Sequence, residues 1–223
     1  MNGSKYYYLL AILLLLMACN SVAQGEQLEC QQIMEEEIHS LDFEAMNQAN
    51  LLQWIQTTYS LPESSITIAN FDSSDITKGV SWNSEDKGYF AAFHENALKQ
   101  AGIRWTSHPP TGEDIVRCYG PPDLYGAYFY EVPAGRIFEI ELWYPTKGLV
   151  VNQTILTQSS EIPEISGKIA VTSMTITRSG SAEEVLNDAY YSRSEEIRQD
   201  TLHTLMPWPS DWGKIEVVTD LSR

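Results

Sequence analysis

Apolar residues recur at three- and four-residue steps through Met34, Ile38, Leu41, Ala45, Ala49, Leu52, Ile55 and Tyr59, which puts them on one helix face. Asp42 can cap a break in that stripe, so the pattern predicts one long helix or two consecutive ones, ended by Leu61-Pro62. The texture then changes. Ile66–Ile68, Gly79–Trp82, Tyr89–His94 and Ile103–Trp105 are short runs rich in β-branched and aromatic residues, parted by Asp, Ser, Asn and Gly, and they predict strands. Ser84–Gly88 reads as a hairpin turn between two of them.

The stretch PPTGEDIVRCYGPPD predicts a short helix. Thr111 caps its start, with Asp114 completing a capping box, and Ile115, Val116 and Tyr119 form a buried side. Gly120 is placed for a left-handed cap, and Pro121-Pro122 forbid continuation. Tyr125–Glu131, Arg136–Tyr144 and Leu149–Val151 then predict an antiparallel meander. Phe138, Ile140, Leu142 and Tyr144 share one face of its middle strand, which leaves Glu139 and Glu141 on the other, expected to be solvated. After a polar loop at Gln158–Gly167, a strand is expected at Ile169–Arg178. Ser181 and Glu184 form a second capping box, opening a helix that carries Val185, Leu186, Ala189 and Tyr190, and another helix is expected near Ser194–Leu205. PWPSDWGKIEVV closes the chain as an aromatic loop and a last strand. The sum is an α+β domain: an N-terminal helix or helix pair packed on a mainly antiparallel sheet, with short helices inserted and a C-terminal strand. Without an internal repeat or a long linker, residues 28–223 read as one domain.

The first residues obey a different grammar. Met1–Tyr8 is polar with one lysine, and Leu9–Ala18 is an apolar run too short to span a bilayer, so residues 1–18 read as a signal peptide. Leu16-Met17-Ala18-Cys19 resembles the lipobox of bacterial lipoproteins, which implies a diacylglyceryl group on Cys19 as the new N-terminus. Residues 19–27 would then be a polar tether. A competing site after Ala23 would release a free protein starting at Gln24. Either way Cys30 and Cys118 remain as a pair, and in an oxidising compartment they are expected to be bridged, which stabilises by up to roughly 4–5 kcal/mol on chain entropy. Thirty Asp and Glu against 14 Lys and Arg give a formal charge of −16, which argues against nucleic acid and against anionic lipid heads as partners.

His94-Glu95-Asn96-Ala97-Leu98 begins like a zinc-protease helix but lacks the second histidine, and His39, His108 and His203 lie far apart. No G-x-S-x-G elbow presents a serine. Glu139 and Glu141 sit two apart on a strand, near glycosidase separations, yet two acids on a wet strand face are ordinary. Asp72-Ser73-Ser74-Asp75 has calcium-binding oxygens without the spacing of an EF-hand loop. Trp208 and Trp212, fixed between Pro207, Pro209 and Gly213, fit a plug at one end of the core or a binding platform. The expectation is therefore no catalytic residue, no metal and no cofactor, with Trp208, Trp212, Glu139 and Glu141 as a candidate binding surface.

Thr111, Ile115, Tyr119, Gly120 and Pro122, followed by the meander ending near Val151, resemble the core of SmpA/OmlA-type small outer-membrane lipoproteins and of β-lactamase-inhibitor-like domains. Where those have a Gly-hydrophobic pair before the threonine, this chain has Pro109-Pro110, and its C-terminal third has no counterpart. The resemblance implies a non-catalytic scaffold that binds other proteins through its sheet. The functional expectation is an exported, lipid-anchored cell-envelope module that binds another envelope protein. The alternatives are a freely secreted binding or inhibitor protein and an envelope hydrolase.

Overall fold

A computed structural model describes residues 30–34, 36–71, 77–84 and 86–219. The expected signal peptide (1–18), Cys19, the tether (19–27) and the Asp72–Asp75 stretch lie outside the described residues.

The strands are β1 (Thr67–Asn70), β2 (Thr77–Ser84), β3 (Lys87–His94), β4 (Ala97–Trp105), β5 (Leu124–Val132), β6 (Gly135–Tyr144), β7 (Leu149–Thr157), β8 (Ser173–Ile176) and β9 (Met206–Pro207). The helices are α1 (Glu36–His39), α2 (Gln48–Tyr59), α3 (Gly112–Tyr119), α4 (Ala182–Ala189) and α5 (Glu195–Thr204). Together they make an α+β fold around one nine-stranded sheet in the order β1-β2-β3-β4-β8-β7-β6-β5-β9. Every named strand pair is antiparallel. The sheet is two meanders side by side. β1–β4 form the first and β5–β8 the second, joined where Ala101 of β4 faces Ile176 of β8 and Arg104 faces Ser173.

Local chemistry explains the element ends. The N-terminal stripe is broken between α1 and α2, because Asp42 Oδ1 accepts from the amides of Glu44 (3.0 Å) and Ala45 (3.1 Å). Asn47 then restarts the helix by accepting from Asn50 N at 2.9 Å. Both capping boxes are present, Thr111 with Asp114 and Ser181 with Glu184. The β3–β4 hairpin turns on Glu95 and Asn96 with φ of 51° and 66°, the left-handed pair that suits strand twist.

Three expectations need correction. Gly120 has φ 83° and ψ 179° rather than a left-handed helical cap. It precedes Pro121, whose ring pushes the preceding residue to extended ψ, and only glycine combines that with positive φ. The strand expected over Ile169–Arg178 is confined to Ser173–Ile176. The residues before it are drawn to the start of α3 instead: Ala170 bridges Thr111, Gly112 N donates to Ile169 O and Val171 N to Pro110 O. The last strand is a single bridge, in which Val218 pairs with Tyr128 through bonds to Ala127 and Phe129.

Alternation along the strands builds two unequal faces. On the first, Val80, Trp82, Phe93 and Ile103 join Phe138, Ile140, Leu142 and Val151 in one buried cluster that also contains Leu51, Ile55 and Ile115. Fully burying each such side chain is worth about 1.5–3 kcal/mol against leaving it exposed. On the second face a smaller cluster forms where Val185 and Leu186 of α4 cover Trp143 and Val150, with Leu202 of α5 at its margin. That cover lies over the second meander.

Candidate functional site

Glu141 sits on β6 between Gly126 of β5 and Asn152 of β7. It is fully buried, which overturns the expectation of a solvated strand face. Trp143 Nε1 donates to its Oε2 at 3.1 Å, and the Tyr190 hydroxyl, at the end of α4, donates to Oε1. The physical reason is that strand alternation separates two faces but does not say which is covered, and here α4 closes over this one. The Tyr190 ring also stacks on Trp143 at 6.3 Å and 10°. Glu139 is half-buried and accepts from the Tyr130 hydroxyl at 3.1 Å. The two acids are thus held by separate tyrosines, and Glu141 lacks the open room that a glycosidase pair needs for sugar and water.

Trp208 and Trp212 are half-buried at the edge of the main cluster and meet edge to face at 4.9 Å. Trp208 also meets Tyr125 edge to face at 6.1 Å. Trp212 fills space against the start of α3: a Cβ on Gly112 would lie 2.6 Å from its ring. The structure therefore separates the pair from Glu139 and Glu141, which belong to the opposite sheet face, and no single surface unites the four residues.

Cys30 and Cys118 are bonded, with Cα atoms 5.2 Å apart, and join the N-terminal helical residues to α3. Beside the bridge, the Tyr119 hydroxyl donates to Met34 O at 3.2 Å. Its proton is thereby used, so His39 Nε2 donates to Tyr119 Oη across 2.9 Å. Burial lowers the His39 pKa below its ordinary 6.5. His94 Nδ1 lies 3.2 Å from the Thr77 hydroxyl at the far end of the first meander. Among the described residues no three His, Cys, Asp or Glu side chains are placed to hold a metal ion. No described helix is long and apolar enough to cross a membrane.

One buried acid escaped the sequence reading. Asp188 of α4 is 4% exposed and receives Arg178 Nε at 2.9 Å, Arg178 Nη2 at 3.3 Å and Lys99 Nζ at 3.5 Å. The hydrogen bond that Arg178 donates to Asp188, then the charge of that carboxylate, raises the Arg178 pKa. The available signal was its place three residues after Val185, on the apolar side of the helix.

The second face of the first meander is different in kind. Ala69, Gly79, Ser81, Ala92 and Gln100 form a shallow floor, rimmed by Phe71, Phe90 and Tyr191, around a groove of about 540 Å³. Phe71 is 65% exposed although its ring lies across Gly79, where a Cβ would approach it to 2.5 Å. All four residues of β1 are exposed, and among the described residues β1 pairs with β2 alone. At the opposite end of the sheet, β9 contains Pro207 and the Val218 bridge adds a second cover to β5.

No family model matches the chain, and no curated protein matches it in sequence. A cysteine-rich secretory protein from Staphylococcus aureus is similar in structure over 65% of this chain and 49% of that one, at 5% identity and a TM-score of 0.32. The likeness therefore spans about half the length of that protein.

Proposed function

We propose that the chain is a non-catalytic cell-envelope lipoprotein, anchored through Cys19, whose domain binds an extended segment of another envelope protein along β1 and the groove beside it. The observation that carries the binding site is the contrast between the two sheet ends. One is closed by a proline-bearing strand and a bridge, while β1 is uncharged, exposed and continuous with an apolar groove. Proteins usually blunt such edges, because unpaired backbone N–H and C=O groups recruit strands. Strand addition uses those groups for affinity and neighbouring pockets for side-chain selection. The resemblance to sheet-binding lipoproteins and inhibitor-like domains points the same way. In this reading the N-terminal helices α1 and α2 occupy the opposite face, a placement supported by the Trp54–Trp82 ring contact at 6.4 Å, and leave the groove face free.

Anchoring is tested by metabolic labelling of the full chain with a palmitate analogue. Label on the wild type that disappears in Cys19→Ala is expected; label that survives the substitution, or none on the wild type, overturns lipidation in favour of release after Ala23. Binding is tested by photocrosslinking in the native envelope from Ser81 or Gln100, against Glu183 on α4 as control. A discrete protein adduct from the groove positions, lost on Phe90→Asp, is expected. Adducts from Glu183 alone, or from no position, overturn the proposed surface.

A further inference from the structure

The edge strand β1 has a backbone register that is complementary to itself. Phe71 N donates to Thr77 O at 2.9 Å, so Phe71 and Thr77 are a hydrogen-bonded pair of the antiparallel ladder. Such pairs alternate along a strand. Ala69 faces Gly79 and Thr67 faces Ser81, so the N–H and C=O groups of Thr67 and Ala69 are turned to β2. Those of Ile68 and Asn70 are turned away from the sheet, where among the described residues β1 has no second strand. Just before them, the Ile66 amide is occupied by Glu63 O at 3.0 Å. The side chains divide in the same rhythm. Ala69 and Phe71 face the groove, and Ile68 and Asn70 face the other side. Ile68 is 46% exposed and Phe71 65%, so the edge is apolar on both faces. Thr67–Asn70 carries no charge in a chain of formal charge −16.

We propose that, while no partner is bound, β1 is capped by β1 of a second copy, antiparallel about a two-fold axis at Ala69. The capping role rests on the reading of β1 as the partner-binding edge; the pairing rests on the register alone. With Ala69 facing Ala69, Ile68 of each copy faces Asn70 of the other, and every outward N–H of the two residues meets an outward C=O. An axis at Ile68 would set each Asn70 carbonyl against an Ile66 amide already given to Glu63, and an axis at Asn70 would carry Ile68 past the end of the strand. The Ala69 pair falls at a non-hydrogen-bonded position, where Cα atoms approach to about 4.5 Å and a small side chain fits. On one face the two Ile68 side chains become diagonal neighbours, and on the other each Phe71 comes opposite Thr67 of the copy. Both exposed apolar residues of the edge are thereby covered. Charge selects the occupant: a basic segment would find no acid on β1, whereas two acidic molecules meet with least repulsion along an uncharged strip. Four residues a side make an interface under about 1,200 Å², the class of weak and transient contacts, which suits a cap that a partner displaces.

The test uses the full chain solubilised in detergent. Sedimentation equilibrium should show a reversible dimer with a dissociation constant of about micromolar order or weaker. Added salt should tighten it severalfold by screening like charge. Asn70→Asp, nearly isosteric and at an exposed position, should keep the melting temperature and weaken the dimer about tenfold or more. Ala69→Cys should form a disulfide-linked dimer on mild oxidation. Thr67→Cys should not, because in this register the two Thr67 positions lie roughly 14 Å apart along the strands, beyond the reach of a disulfide. Capping is read in the native envelope, where the linked Ala69→Cys dimer should lose the partner adduct from Ser81. A monomer at every concentration, a dimer indifferent to Asn70→Asp, or linkage through Thr67→Cys as ready as through Ala69→Cys overturns the pairing. A Ser81 adduct that survives linkage overturns the capping role. Partner adducts from a chain that stays monomeric strike this inference and leave the proposed binding site standing; a dimer that gives no adduct keeps the pairing and strikes that site.

Discussion

The two meanders share one topology and differ in what covers them. Both contribute to the main buried cluster on the first face. On the second face, α4 seals the second meander with Val185 and Leu186, stacks Tyr190 on Trp143 and caps a buried carboxylate. The first meander has a groove there and an exposed edge strand. Identical strand pairing thus serves two ends. A strand pair buried on both faces is fixed by packing, and one buried on a single face keeps surface to spend on recognition.

Substitutions along the second face sharpen that contrast. Trp143→Ala should cost about 3–5 kcal/mol, because it deletes a fully buried ring and with it the indole donor to buried Glu141. Phe90→Ala, on the open half, should cost well under half as much in the same denaturant titration; equal costs would mean that the groove is part of the core. Cys118→Ser removes the bridge that encloses the first meander and should cost about 2–4 kcal/mol, read as a fall in melting temperature that a reductant reproduces in the wild type. Asp188→Ala should cost about 1–2 kcal/mol, since it deletes a buried acid but leaves Arg178 half-exposed and free to hydrate.

A pH effect belongs to the first face. Burial lowers the His39 pKa, so the unfolded chain binds the proton more readily than the folded one. The contribution is fully present above the unfolded value near 6.5 and is lost as pH falls through the folded pKa. His39→Gln should flatten the dependence of melting temperature on pH below about 6.5. The smallest stability effect should come from Phe71→Ser, within about 0.5 kcal/mol, because the side chain is mostly in water. A larger loss would show that the rim supports the sheet.

Much of this architecture was legible in local grammar. Thr111 with Asp114, Ser181 with Glu184 and Ser194 all mark helix starts by chemistry that acts within four residues. Alternation in β6 correctly divides Phe138, Ile140 and Leu142 from Glu139 and Glu141. What local grammar lacks is the distant partner. Nothing near Glu141 announces Tyr190, nothing near Asp188 announces Lys99, and Ile169–Val171 resembles a strand yet pairs with residues that lead into α3.

The Cys30–Cys118 bond also sets the covalent circuit of the molecule. It closes a ring across a sequence separation of 88 that contains all of β1–β4, while β5–β9 hang from the ring as an open tail. A protease that cuts one turn within the ring releases nothing, and the nicked chain migrates as one species until it is reduced. A single cut in the tail, as in the polar loop between β7 and β8, divides the chain at once. Where the chain meets a protease, the half with the exposed edge is the half that survives a first cut intact in mass.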